Sequence, residues 1–97
     1  MHVSIRYFTV LREIVGKKDE ILEFPKGQKL TINGLVKCLS EKYGKDFDEY
    51  VYDLKTGEVK GFLQFLVNGR SPSEAKGLDS PLSDGDVLAI VPPVSGG

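Results

Sequence analysis

The sequence contains few of the residues that form disulfides or bind metals. Among its 97 residues there is one cysteine, Cys38, and one histidine, His2. A single cysteine cannot form an internal disulfide, and these two side chains are too few for a multi-ligand zinc site. We interpret Cys38 as a packing residue, because it lies at the margin of an apolar helical stripe and has no evident activating partner. We expect no metal site and no bound cofactor.

Long apolar runs and a surplus of one charge are also absent from the sequence. No stretch is apolar over the length that a membrane span needs, and residues 1–6 lack the apolar core and cleavage site of a signal peptide. The 13 Lys and Arg residues nearly balance the 14 Asp and Glu residues, and the net charge is −1. The lysines are dispersed, which is untypical of a nucleic-acid interface. We therefore expect one cytoplasmic domain that binds neither nucleic acids nor membranes.

Alternating apolar and polar residues predict strands in the first part of the chain. Residues 2–10 alternate well, with Phe8 falling on the polar, outward side. Residues 11–16 predict a short helical turn that ends at a glycine, and residues 20–24 predict a second strand. The short connection between the two strands indicates an antiparallel pair.

A helix is predicted over residues 32–43. Thr31 precedes it, and its hydroxyl group can cap the first free N–H groups. Gly44 is a typical residue beyond a helix end. The apolar stripe of this helix consists of Ile32, Leu35, Val36, Leu39 and Tyr43. Residues 45–61 are less regular, and we interpret them as a short hairpin or an irregular excursion.

Two further strands are predicted in the second half of the chain. Residues 62–68 form one of them, with Phe62 and Leu66 pointing outward. Its inward face consists of Leu63, Phe65 and Val67. Residues 70–82 are interpreted as a polar loop. Residues 87–91 are apolar on both faces, as expected for a central strand with a neighbour on each side.

The predicted order is strand, strand, helix, strand, strand. Four main strands wrapped around one helix is the β-grasp arrangement, so we expect an α+β fold with a mixed sheet packed on one helix. The folded domain is expected to span residues 1–91, and residues 92–97 are expected to form a tail that leaves a central strand. A central strand is hydrogen-bonded on both edges and is therefore the most rigid strand of a small sheet from which a tail can leave.

The tail has the composition of an extended arm. Pro92 and Pro93 offer no N–H group to a sheet ladder and favour an extended, solvated form. Gly96 and Gly97 have no Cβ and can pass through a channel too narrow for a side chain. We expect the α-carboxylate of Gly97 to be free and to react after activation as an acyl adenylate. The alternative is that this end is merely small, polar and disordered.

Three apolar side chains are predicted to point away from the helix, and they are our candidate docking patch for a partner protein. They are Phe8, Phe62 and Leu66, with Val91 at the tail-side edge. A single exposed apolar residue is ordinary in a folded protein. The alternative is therefore that these side chains form no joint surface.

Four segments carry a resemblance to a known family. They are Ile5-Arg6-Tyr7-Phe8, Leu11-Arg12-Glu13-Ile14-Val15-Gly16, Leu82-Ser83-Asp84-Gly85-Asp86-Val87 and Ile90-Val91-Pro92-Pro93-Val94-Ser95-Gly96-Gly97. Together they resemble the MoaD family, the small subunit of molybdopterin synthase, within the ThiS/MoaD superfamily of ubiquitin-like sulfur carriers. The ending is specific when it is joined to the Asp-Gly-Asp turn and the Pro-Pro pair, and weak without them. Residues 45–61 depart from the pattern, because they are longer than compact family members need.

The resemblance implies a ubiquitin-like fold and a sulfur-transfer cycle. A MoeB-like, ubiquitin-activating-like adenylating enzyme would bind the sheet surface and use ATP to convert the Gly97 carboxylate into an acyl adenylate. A persulfide or similar donor would then replace AMP and leave a thiocarboxylate on Gly97. A MoaE-like large subunit would take up the tail and supply the acid–base groups that deliver sulfur to a molybdopterin precursor. The tail residues in its pocket would be Gly96, Ser95, Val94, Pro93 and Pro92.

Gly97 would thus carry the reactive atom of a transferase complex to which this chain adds no catalytic side chain. Two other functions stay open. One is a ubiquitin-like protein modifier, in which a substrate lysine attacks the activated Gly97 and forms an isopeptide bond. The other is a plain β-grasp interaction module. A carrier for thiamin synthesis or tRNA thiolation is a variant of the first function. The Pro-Pro-Val-Ser-Gly-Gly ending favours a sulfur carrier over a modifier.

Overall fold

The computed structural model of the chain describes residues 1–93, and residues 94–97 lie outside the described residues. The strands are β1 (His2–Tyr7), β2 (Asp19–Glu23), β3 (Leu30–Thr31), β4 (Gln64–Val67), β5 (Pro81–Leu82) and β6 (Val87–Val91). The helices are α1 (Val10–Val15), α2 (Ile32–Tyr43) and α3 (Lys45–Val51), and a 3-10 turn spans Gly77–Asp79. None of the helices within residues 1–93 has the length and apolar character needed to cross a membrane.

Four of the strands form one mixed sheet in the order β2-β1-β6-β4. β1 pairs antiparallel with β2 and parallel with β6, while β4 pairs antiparallel with β6. This is the predicted β-grasp arrangement, with β6 as the predicted central strand. β3, directly before α2, and β5, within the region predicted as a polar loop, form a separate two-stranded pair. They were missed because two-residue strands are too short to show an alternating pattern.

The core lies between the inner face of the sheet and α2. The predicted inward residues of β1, namely Val3, Ile5 and Tyr7, are fully buried. The predicted stripe of α2 meets them, with Ile32, Leu35, Val36 and Leu39 fully buried and Tyr43 packed at the margin. The helix begins as predicted, because the backbone N–H of Gly34 donates to Oγ1 of Thr31 at 3.0 Å. The helical periodicity therefore identified the buried face correctly.

Residues 45–61 differ from their prediction. Their first part is the helix α3, which buries Phe47 and Val51 on one face at a spacing of four residues. The alternation of aromatic residues from Tyr50 onward suggested a strand, but only Tyr52 enters a strand-like bridge, with Val59. A hairpin is therefore present only around the turn between these two residues. The helical spacing was hidden because seven residues give fewer than two full periods.

A nearly buried carboxylate joins two strands to α2. Glu20 of β2 is 7% exposed and accepts hydrogen bonds from the hydroxyl groups of Tyr7, at 2.5 Å, and Tyr43. Nζ of Lys42 donates to its other oxygen at 2.7 Å. Burial by itself raises the pKa of Glu20, but the hydrogen bonds from Lys42, Tyr43 and Tyr7 outweigh it and hold the pKa below its usual value. The ionised carboxylate therefore stabilises the folded state.

We predict that Glu20→Gln lowers the free energy of unfolding at neutral pH by about 1–3 kcal/mol, because charge-assisted hydrogen bonds are lost. The lowered pKa means that the stabilisation by Glu20 is complete above its unfolded value and is lost as the pH falls through the folded value. Urea unfolding between pH 7 and pH 3 should therefore show a flatter pH dependence for the variant. Glu23→Gln, at an exposed position of β2, is the control. An unchanged pH slope in the Glu20 variant would contradict the prediction.

Candidate functional site

The end of β6 determines where the chain leaves the folded body. On one side Ile90 pairs with Tyr7 of β1, and on the other side Val91 pairs with Gln64 of β4. Pro92 is half-buried and Pro93 is exposed. We call the segment Val91–Pro93 the tail exit. Because both edges of β6 are hydrogen-bonded up to this point, the direction of the exit is fixed by the sheet.

The strand register places two of the predicted patch residues at the tail exit. β1 runs parallel to β6, so Phe8, the residue after Tyr7, lies at the end of the sheet where β6 ends. β4 runs antiparallel to β6, so Phe62, two residues before Gln64, lies at the same end. The two aromatic side chains therefore flank the tail exit from opposite sides of β6.

The remaining patch residues lie on the outer face of the sheet, away from α2. Leu66 pairs with Ala89, and Val91 stands two residues further along β6 on the same face. Both side chains are half-buried. Phe62 has different neighbours. Its ring lies edge-on to the ring of Tyr50 of α3, and the two ring centroids are 6.3 Å apart. The candidate patch thus has two parts, one on the sheet and one against α3, and its role in docking stays a prediction.

Two arginines at the tail exit were not among the predicted site residues. The guanidinium groups of Arg6 and Arg12 lie 5.9 and 5.4 Å from the ring centroid of Phe8. Nε of Arg12 also donates to the carbonyl oxygen of Tyr7 at 2.8 Å, which anchors it to β1. Arg6 was recoverable from the alternation of β1, which puts it on the face of Phe8. Arg12 could not be recovered from the sequence, because its side chain reaches Phe8 only through the turn before α1.

That turn is strained at Thr9. Thr9 has φ 45° and ψ −115°, a region that a β-branched residue rarely occupies. The turn is closed by the N–H of Leu11, which donates to the carbonyl oxygen of Phe8 at 3.1 Å. Such a backbone conformation costs about 1–3 kcal/mol and persists where its surroundings enforce it. Here it reverses the chain directly after Phe8 and returns Arg12 to the ring.

In residues 1–93 no three His, Cys, Asp or Glu side chains are grouped so that they could hold a metal ion. The predicted reactive residue, Gly97, lies outside the described residues, as do Gly96, Ser95 and Val94. What the folded body contributes is the position of the tail exit and the apolar and cationic groups around it.

Comparisons with known proteins give a family profile and two relatives that match this chain. The sequence profile of the ThiS family matches residues 5–97. A protein of Archaeoglobus fulgidus, provisionally named a sulfur carrier protein, is 40% identical over 70 residues, which cover 72% of this chain and 77% of that protein. Small archaeal modifier protein 3 of Haloferax volcanii is 31% identical over 97 residues, which cover all of both chains.

Solved structures share the fold over nearly the whole chain. The crystal structure of SAMP1 from Haloferax volcanii has a TM-score of 0.79 at 24% identity and full coverage of both chains. A protein of Pyrococcus furiosus, provisionally named molybdopterin converting factor subunit 1, has a TM-score of 0.72 at 30% identity and covers 97% of this chain and 99% of its own. A complex of subunits 1 and 2 of the Helicobacter pylori molybdopterin-converting factor has a TM-score of 0.63 at 23% identity, with full coverage of both chains.

We predict that Thr9→Gly raises the stability of the folded state, because glycine accepts positive φ without strain. The gain should be about 1 kcal/mol after the entropy cost of glycine, which corresponds to roughly 4–8 °C in the thermal unfolding midpoint. Thr9→Ala is the matched control, because it keeps a Cβ and should gain much less. A glycine variant that unfolds at a lower temperature than the wild type would contradict the assignment of strain to Thr9.

Proposed function

Because the chain belongs to the ThiS family, a group of ubiquitin-like sulfur carriers and small modifiers, we propose that it acts as the small subunit of molybdopterin synthase. In this role Gly97 is its sulfur-carrying residue. The observation that carries the proposal is the central strand β6, which delivers the chain to the tail exit at a fixed place between Phe8 and Phe62. The likeness to the Pyrococcus furiosus protein, at 30% identity over almost the whole chain, supports the molybdopterin branch.

The first step is activation of Gly97 by a MoeB-like adenylating enzyme. The carboxylate oxygen attacks the α-phosphorus of ATP, pyrophosphate leaves, and an acyl adenylate forms. A persulfide sulfur then attacks the acyl carbon and expels AMP. A thiol cleaves the resulting S–S bond by forming a disulfide with the donor, which leaves a thiocarboxylate on Gly97. This chain supplies no acid or base to these steps; it positions the carboxylate.

The second step is delivery of the sulfur. A MoaE-like large subunit takes up the tail, and the thiocarboxylate sulfur attacks a carbon of the molybdopterin precursor and displaces an oxygen leaving group from it. Water then hydrolyses the bond between this sulfur and the acyl carbon of Gly97, so that the sulfur stays on the precursor and the Gly97 carboxylate is regenerated. The absence of side chains in the tail glycines allows Gly96 and Gly97 to enter a narrow channel. The stiffness of Pro92 and Pro93 keeps the tail extended between the body and that channel. The fold shared with a subunit of the Helicobacter pylori complex is consistent with such a pairing.

A second candidate function is protein modification. It is favoured by the relative named small archaeal modifier protein 3, which matches this chain over its full length at 31% identity. The same acyl adenylate would then be attacked by a lysine amine, through an enzyme thioester or directly, and an isopeptide bond would form. A carrier for thiamin synthesis or tRNA thiolation uses the same thiocarboxylate with another acceptor.

The test is mass analysis of the C-terminal peptide of the untagged protein isolated from its own cells. A sulfur-for-oxygen exchange at Gly97 is the result expected for a sulfur carrier. Gly97 in isopeptide linkage to lysines of other proteins would make the chain a modifier. An unmodified carboxylate that also stays unchanged with the adenylating enzyme, ATP and a persulfide donor would refute both.

We predict that one alanine added after Gly97, or Gly96→Ala, abolishes thiocarboxylate formation and leaves the thermal unfolding midpoint unchanged. The reason is that the carboxylate is displaced or the narrow approach is blocked, whereas the buried core is built from residues between Val3 and Ile90. Thiocarboxylate can be measured by intact mass after incubation with the adenylating enzyme, ATP and a persulfide donor. Ser71→Ala, in an exposed loop, is the control. Normal loading of an extended protein that still retains its added residue would contradict the mechanism.

We also predict that Leu66→Arg weakens binding to the adenylating enzyme by about tenfold or more, since a charge enters the apolar part of the interface. The midpoint of thermal unfolding should move little, because Leu66 lies on the outer face of the sheet. Ile21→Arg is the matched control: Ile21 is 69% exposed on the edge strand β2, away from the tail exit. A large loss of stability would assign Leu66 to the core instead.

A further inference from the structure

Phe62, an exposed aromatic side chain at the tail exit, contacts α3, a helix outside the four-stranded sheet. Phe62 is 47% exposed, although it is a large apolar residue. Its ring packs edge-on against Tyr50 of α3, and Tyr50 in turn packs against the hydrophobic core. Nζ of Lys60 lies 5.7 Å from the centroid of the same ring. We call these three residues the Phe62 arm.

The Phe62 arm is pre-ordered. Nζ of Lys60 donates to the carbonyl oxygen of Glu49 at 2.7 Å, and its backbone N–H donates to the carbonyl oxygen of Val51 at 2.8 Å. The arm is therefore tied twice to α3, which is fixed by its buried side chains. An exposed aromatic residue that is already ordered loses little conformational entropy on binding, and this is typical of residues that dominate interface energies.

The surroundings of the arm also indicate the chemistry of what covers it. A pocket that closes over the Phe62 ring removes water from the ammonium group of Lys60. That group has three N–H donors, and one is used by the Glu49 carbonyl oxygen. Leaving the others without acceptors would oppose binding, so a partner has to supply acceptors, and carboxylates also compensate the charge.

The positive charges at the tail exit also favour a partner surface that carries carboxylates. On the β1 side the cations of Arg6 and Arg12 lie against Phe8, as Lys60 lies against Phe62. The carboxylate of Glu49, beside Tyr50 in the sequence, is 3.9 Å from Nζ of Lys45. Cations thus lie against both aromatic rings, Arg6 and Arg12 at Phe8 and Lys60 at Phe62.

We infer that the Phe62 arm is a second docking point for the adenylating partner, which presents there an apolar pocket rimmed by carboxylates. This rests on the proposed function, in which every route from Gly97 begins with adenylation by that enzyme. The partner then holds the body on both sides of the tail, at Phe8 and Leu66 on the sheet and at Phe62 on α3. Two points of attachment fix the direction in which the tail enters the partner, which one patch alone does not.

The test measures the affinity of purified variants for the MoeB-like adenylating enzyme of the same cells, in the presence of ATP. Phe62→Ala should weaken binding by about tenfold or more, as for a residue at the centre of an interface. Leu54→Ala removes an apolar side chain that is 75% exposed on the neighbouring turn, and it should change the affinity less than about twofold. Thermal unfolding of each variant separates a loss of docking from a loss of folding.

The charge part of the inference is tested with Lys60→Met, which keeps an apolar chain of similar length, the backbone hydrogen bond to Val51 and the contact between the rings of Phe62 and Tyr50. Its affinity should be several-fold lower at low salt and should depend less on ionic strength than that of the wild type. Lys76→Met, which removes one charge from an exposed loop, should behave as the wild type. Tighter binding of Lys60→Met would show that the facing surface is not acidic.

The outcomes separate the two proposals. Unchanged affinity of Phe62→Ala, together with weakened binding of Leu66→Arg, would overturn the Phe62 arm and leave the proposed function intact. Weakened binding of Phe62→Ala to a MoaE-like large subunit, with unchanged binding to the adenylating enzyme, would overturn the assigned partner. A wild-type chain that the enzyme neither binds nor adenylates would overturn the proposed function and the arm with it.

Discussion

β6 is hydrogen-bonded to β1 along one edge and to β4 along the other, and this pairing decides where the chain leaves the folded body. An edge strand would allow its last residues to separate from the sheet, whereas β6 is paired on both sides up to Ile90 and on the β4 side up to Val91. The opposite directions of β1 and β4 then bring Phe8 and Phe62 to the same end. The surface around the tail exit is thus a consequence of the topology.

The inner and outer faces of the sheet differ in burial and in the residues that they carry. The inner face packs on α2 and contains the Glu20 network, which is held in place by two tyrosines and Lys42. The outer face and the tail-exit end carry half-buried or exposed apolar residues with cations beside them. We therefore expect changes on the outer face to affect partner binding more than folding. The strained turn at Thr9 affects both stability and the surface. It lowers the stability of the fold and at the same time places Arg12 beside Phe8.

Sulfur transfer and protein conjugation make the same demand on this chain. Both require an activated carboxylate on a thin arm, and the nucleophile that attacks it comes from a partner. The folded body can influence the choice only through the surface by which partners are selected. Under the inference drawn for Phe62, α3 and the turn after it extend that surface beyond the four-stranded sheet. This is the part of the chain in which we expect relatives with the same ending to differ in their partners.

The sequence by itself determined the α+β class, the bounds of α2 with its Thr31 cap, the inward residues of β1 and the central place of β6. These follow from periodicity over many residues and from local backbone chemistry, which act between near neighbours. It also indicated the tail through its prolines and glycines. Only the tertiary structure decided that α3 is a helix, that Arg12 returns to Phe8, and that the ring of Phe62 meets Tyr50 of α3. Those outcomes depend on contacts between distant segments and on a strained turn, and spacing along the chain does not encode them.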